Sequence, residues 1–179
     1  KALELFSTYG YDSVGVQRIA EEAGVSKPTL YHYFGSKHGL LNILLEQYFS
    51  QLFSMLEQAA EYNRDLPLTL QKITTTYFGF AKENRVFYRM MLSMWFAPME
   101  SEAFEAIKTF NQRQQEIIEN VFLQATEQHG NMKGHHQAIA ASFLGLINTY
   151  AGLLVNGLVE WNDQLVHRVL HQFMYGIFS

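Results

Sequence analysis

Between Ala20 and Leu41 the chain reads AEEAGVSKPTLYHYFGSKHGLL, and its glycines and serines leave room only for very short helices. Gly24 can end one helix in a left-handed turn. Ser26 can cap the N-terminus of the next, with Pro28 tolerated in its first turn. Gly35 and Ser36 then repeat the stop and the start. The helix before Gly24, from Val16 to Ala23, carries Val16, Ile19, Ala20 and Ala23 on one face. The helix after it turns Leu30 and Phe34 toward Ile19 and Ala20, and the small Ala20 and Gly24 permit a close crossing. Pro28, Thr29 and His32 are left facing outward, with Tyr31 and Tyr33 on the flanks. Two short helices crossing on a glycine turn make a helix-turn-helix over residues 15–34.

The outward face has the chemistry of a phosphate-binding surface. Asp and Glu stop at Glu22 and return only at Glu46, while Lys27 and Lys37 remain. Hydroxyl, imidazole and ammonium donors without carboxylates suit a polyanion, and the helix start at Ser26–Lys27 adds its own positive end. The bland alternative is a tyrosine-rich piece of core flanked by solvated lysines. Cap, turn glycine, inward pair and two lysines all agree on the first reading. The charge balance opposes it: residues 1–47 hold four Lys/Arg against five Asp/Glu, and a nucleic-acid binder usually has a basic footprint. The chain opens inside a helix, KALELFSTYG, so residues are expected upstream, and a basic arm there would restore that footprint. The opening has none of the marks of a signal peptide.

Helical periodicity continues to the end. Gly10 stops the first helix, and Ser36 starts a long one running to about Asn63. Further helices are expected over 67–82, 84–96, 101–128, 135–159 and 162–178. No stretch alternates long enough for a strand, which makes the chain all-α. With 179 residues and 48% apolar content, it suits a small module, residues 1–45, joined to a larger body, residues 46–179. It has no cysteine, so no disulfide or thiolate site, and a cytosolic setting is expected.

GVSKPTLYHYFGSKHGLL resembles the DNA-binding signature of the TetR (tetracycline-repressor) family, through Tyr31, Tyr33, Phe34 and Lys37 at matching spacing. Three short helices followed by six longer ones also resemble that family's layout. The resemblance implies a homodimeric regulator, a repressor of palindromic operator DNA released by a small apolar or aromatic effector. It places Gln17 and Arg18 at the start of the second helix against bases or backbone. Lys27, Pro28, Thr29 and His32 fall in the groove, and Tyr31, Tyr33 and Lys37 on phosphates, with Ser26 at the helix start as a further DNA-binding candidate. Gly15 departs from the family's usual Ser or Thr. An effector pocket is implied in the Met- and aromatic-rich middle, with Tyr77, Phe78, Tyr88, Met91, Met94, Trp95, Phe110 and Phe122 as candidates and Asn148 and Tyr150 as polar partners. The last two helices would form the dimer interface, through Ala141, Gly145, Thr149, Gly152 and Asn156 of one and His167 and His171 of the other.

Ala138 to Val159 carries no charge and is long enough to suggest a membrane span. Its small residues and its bulky ones separate onto opposite faces, however, so a helix buried on both sides is expected and no membrane partner. No phosphate-cradling loop, G-x-S-x-G or H-E-x-x-H is present, so no enzyme and no cofactor are expected. His167 and His171, one turn apart, lack a third ligand, so no metal site is expected. The competing reading is a helical small-molecule-binding protein that does not touch DNA.

Overall fold

The structure, a computed structural model, describes residues 1–176, Asn131 through its backbone alone. Among the described residues there are nine α-helices and no strand: α1 (Ala2–Tyr9), α2 (Val16–Ala23), α3 (Lys27–Phe34), α4 (Lys37–Ala59), α5 (Leu66–Glu83), α6 (Arg85–Trp95), α7 (Glu102–Ala125), α8 (His136–Val155) and α9 (Asp163–Tyr175). One 3₁₀ turn, Gly130–Met132, precedes α8. The helix expected to reach Asn63 ends at Ala59, and Arg64 beyond it has a positive φ of 62°. At a rise of ~1.5 Å per residue α4 is about 35 Å long, shorter than the 40 Å the sequence suggests. The end expected for the last helix, Phe178, lies outside the described residues.

Contacts gather the chain into two compact units. The first comprises Lys1–Gln51 and Arg85–Phe110, the second Leu52–Asn84 and the chain from Asn111 onward. In the first, α1 packs on α6 and α2, and α2 on α3. Its core is aromatic: Tyr48 stacks on Phe87 at 4.3 Å between centroids, and Phe49 on Phe110 at 4.5 Å. Leu5, Phe6, Ile19, Leu30 and Leu41 complete it.

In the second unit α5 packs on α8 and α9. Asp65 starts α5 by accepting the Leu68 N–H at 2.9 Å, with Pro67 in the first turn, the arrangement proline favours. Inside, the Tyr77 hydroxyl donates to Gln114 Oε1 at 3.0 Å, so both polar groups are satisfied where water is absent. α8 is apolar and long enough to cross a membrane, with mean hydropathy 1.7. Phe143, Ile147 and Leu154 on its bulky face are buried within this unit, whereas Ala141, Gly145 and Thr149 on the opposite face are exposed, so only one of the two sides expected to be buried is covered within the chain.

Candidate DNA-binding face and effector surfaces

The helix-turn-helix forms as its capping residues dictate. Gly24 takes the left-handed conformation at φ 67°, and the Val25 N–H reaches back to the Ala20 carbonyl at 3.0 Å. Ser26 Oγ accepts the Thr29 N–H at 3.2 Å and lies 2.7 Å from Thr29 Oγ1. Leu30 is buried, anchoring α3 to α2, while Lys27, Pro28, Thr29, Tyr31, His32 and Tyr33 are all exposed. The His32 and Tyr33 rings meet edge to face at 5.3 Å. α3 therefore presents one continuous donor-rich face, held from behind by a single leucine and from its N-terminus by a hydroxyl cap. Ser26→Ala should cost about 1 kcal/mol of stability, read from urea denaturation, and should also release the Thr29 side chain.

Other residues assigned to this face have partners within the protein. Gln17 Nε2 donates to Glu21 Oε1 at 2.7 Å, and the Arg18 guanidinium lies over the Tyr9 ring at 3.9 Å. Lys37 is half-buried. Its ammonium donates to the Tyr11 backbone carbonyl at 3.1 Å and stands 4.1 Å from that residue's ring centre. Tyr11 is only 3% exposed, and its hydroxyl donates to Glu102 Oε2 at 2.9 Å. Burial and the neighbouring carboxylate both hold that phenol protonated well above its usual range. Tyr11 and Glu102 were missed by sequence reasoning, because a turn residue and a helix start 91 positions apart give no periodic signal.

Gly15 starts α2 with extended backbone and no side-chain cap, and a Cβ there would meet nothing within 4 Å. Gly15→Thr should accordingly add a few tenths of a kcal/mol and give a hydroxyl for the DNA backbone. We expect tighter binding to every duplex without a change in preferred sequence, measurable by fluorescence anisotropy.

The residues assigned to an effector are divided between the units. Tyr88, Met91, Met94, Trp95 and Phe110 fall in the first, Tyr77, Phe78, Phe122, Asn148 and Tyr150 in the second. Tyr77, Phe78, Tyr88 and Phe122 are fully buried core side chains, whereas Trp95 is 42% exposed and stacks on Phe104 at 6.0 Å. The Tyr150 hydroxyl donates to Gln172 Oε1 at 3.1 Å across α8 and α9. Ala141, Gly145, Thr149 and Asn156 are exposed along α8, and Gly152 partly so. His167 and His171 are exposed on α9 with ring centres 6.1 Å apart. Among the described residues no group of three or more His, Asp or Glu could hold a metal ion.

Two short helices, the second capped and free of carboxylates, crossing on a left-handed glycine turn define a helix-turn-helix. Residues 1–44 match the family model described as bacterial regulatory proteins, tetR family. The head of the chain is thus similar to that of TetR-family regulators. Over 90 residues it is 34% identical to the HTH-type transcriptional activator FasR of Mycolicibacterium smegmatis, a match covering 50% of this chain and 41% of FasR. The chain thus spans about two-fifths of the length of that relative. The fold is also that of FadR from Bacillus subtilis, a transcriptional regulator solved with stearoyl-CoA (TM-score 0.79, 20% identity, 98% of this chain and 95% of that one). It is shared too by the TetR-family regulator PfmR from Thermus thermophilus (TM-score 0.78, 22% identity, 99% and 94%).

Proposed function

We propose that this protein is an effector-responsive transcriptional regulator, a cytoplasmic homodimeric repressor that binds palindromic operator DNA through residues 1–45. Residues 46–179 would carry dimerisation and effector binding. The observation that carries the reading is the α3 face, where Lys27, Thr29, Tyr31, His32 and Tyr33 are exposed together and no carboxylate stands among them. Thr29 and His32 are the base readers in this proposal. Gln17, Arg18, Ser26, Lys27, Pro28, Tyr31, Tyr33 and Lys37 set position on the backbone. A small, mostly apolar effector is supported by the acyl-CoA in the FadR structure, and by the Met- and aromatic-rich composition of residues 77–122. α4 is one continuous helix that starts within the head at Lys37 and runs to Ala59, and it can carry a displacement along its length. By linkage, an effector that weakens operator affinity binds the operator complex more weakly by the same factor.

The test is selection of genomic fragments by the protein in low salt without effector, followed by affinity measurements on the recovered duplex. We expect a palindromic site and a steep fall of affinity with salt. Lys27→Ala should weaken binding to all sequences and reduce the salt slope by about 1, whereas changes at Thr29 or His32 should shift sequence preference. Recovery of no fragment would leave the helical ligand-binding reading, which the four-against-five charge balance of residues 1–47 favours.

A further inference from the structure

Among the described helices, only α4 and α7 run unbroken from one compact unit into the other, α4 crossing the division after Gln51 and α7 after Phe110. Both are tied at their first residue to the same residue of the turn before α2. Lys37 opens α4, and its ammonium donates to the Tyr11 carbonyl at 3.1 Å and lies over the Tyr11 ring. Glu102 opens α7, and its Oε2 accepts the Tyr11 hydroxyl at 2.9 Å, a charge-assisted bond. A serine fixes each helix start. Ser36 Oγ accepts the Gly39 N–H at 2.9 Å, and Ser101 Oγ accepts the Phe104 N–H at 3.1 Å.

Tyr11 is in turn built into the head. Its carbonyl also accepts the Val14 N–H at 3.2 Å, Val14 is buried, and α2 begins at Val16. The ring packs edge to face on Phe6 and would do so equally as a phenylalanine. The hydroxyl adds nothing to that packing: it leaves a side chain only 3% exposed to reach an exposed carboxylate on another helix. A shift of the α4 start meets the turn through the lysine, and a shift of the α7 start meets it through this bond. We propose that Tyr11 is a positioning residue for DNA binding, and that its hydroxyl bond to Glu102 couples the start of α7 to the helix-turn-helix. The proposal rests on the DNA-binding reading above and adds the contact through which operator occupancy reaches α7. By linkage, a bond that favours the DNA-binding arrangement is itself favoured by DNA, by the same factor.

The experiment uses the duplex recovered by genomic selection and reads two quantities, affinity by anisotropy and the fluorescence of Trp95. Trp95 stacks on Phe104, which lies on the first turn of α7 with Glu102. Trp161→Phe removes the other tryptophan and serves as the parent. In it the operator should change the Trp95 emission. Tyr11→Phe should lower operator affinity about threefold, the low end for a lost hydrogen bond, leave the salt slope unchanged and at least halve the Trp95 response. Glu102→Ala should bind about threefold more weakly than Glu102→Gln, because both remove the same charge and only the amide keeps an oxygen acceptor. Once Tyr11→Phe is present, Ala and Gln at that position should bind alike, the mark of one shared bond. Melting curves should show every variant folded at the assay temperature.

The proposal is overturned if Tyr11→Phe binds the operator as well as the parent, or if the Ala and Gln variants at Glu102 bind alike with Tyr11 in place. It also fails if Trp95 does not respond to the operator, or responds as fully without the hydroxyl, for the bond would then stabilise the fold and couple nothing. Failure here is separable from failure of the regulator reading. A duplex bound equally by all variants removes this inference alone, whereas recovery of no duplex removes the regulator reading and this inference with it.

Discussion

Replacing Tyr11 by alanine should cost the protein about 3–5 kcal/mol, the usual cost of removing a large ring from a core. That is a large part of the ~5–15 kcal/mol by which domains are stable. The ring is 3% exposed, meets Phe6 edge to face at 5.1 Å and underlies the Lys37 ammonium at 4.1 Å. Tyr11→Phe keeps all of that and loses the bond to Glu102. Glu102 is exposed, so water replaces the lost donor and the cost should be only about 0.5–1.5 kcal/mol. Urea denaturation distinguishes the two, and equal losses for Ala and Phe would show that the hydroxyl, not the ring, holds the loop. Because Tyr11 joins α1 to α2, Tyr11→Ala should also weaken DNA binding beyond its effect on the folded fraction.

The pH dependence follows from the same contacts. Tyr11 is held protonated by burial and Glu102, and Tyr88 by burial. Folding therefore favours the neutral phenol. The stabilisation is fully present below the unfolded value of about 10 and is lost as pH rises above it. Tyr11→Phe should reduce the alkaline loss without abolishing it, since Tyr88 remains. An unchanged alkaline profile would remove Tyr11 from this account.

Much of the head was legible because its signals are local. Ser26, Gly24 and Gly35 each act within four residues of themselves, so capping rules place α2 and α3 to within a residue. The roles of Lys37 and Arg18 were less legible, for charge alone does not say whether an ammonium meets a phosphate or a tyrosine. Their partners, Tyr11 and Tyr9, come from loop and helix geometry that no periodicity encodes. The packing of residues 85–110 with the head was hidden for the same reason. In the aromatic middle, composition names residues that prefer the interior but does not say which reach it: Tyr77, Phe78, Tyr88 and Phe122 are fully buried, while Trp95 is 42% exposed. The early end of α4 at Ala59 is a boundary effect, since Glu61, Tyr62 and Asn63 are compatible with helix but lack a stop signal.

Gly145→Leu should turn the proposed dimer into monomers while making each protomer no less stable. Gly145 is exposed in the middle of α8, and a Cβ there would meet nothing within 4 Å. Replacing a mid-helix glycine removes a helix penalty of about 0.8–1 kcal/mol, so within one chain the change is favourable. Against a second copy it is not. The polar residues of the stripe have already turned bonds inward: Thr149 Oγ1 donates to the Gly145 carbonyl and Asn156 Nδ2 to that of Gly152, each at 2.9 Å. What remains outward is mostly small, with its N–H and O–H donors largely bonded within the helix, a surface that loses little when another helix lies close on it. A leucine would overfill that crossing at a cost of about 1–3 kcal/mol, counted twice across a two-fold axis. Even the low end raises the dimer dissociation constant roughly 30-fold. Operator binding should fall with it, since two recognition helices must reach successive major grooves about 34–36 Å apart. Sedimentation at low micromolar concentration, together with melting curves, reads both signs at once. A variant that stays dimeric would place the interface elsewhere, and one that melts earlier as a monomer would show that α8 needs its glycine for packing within the chain.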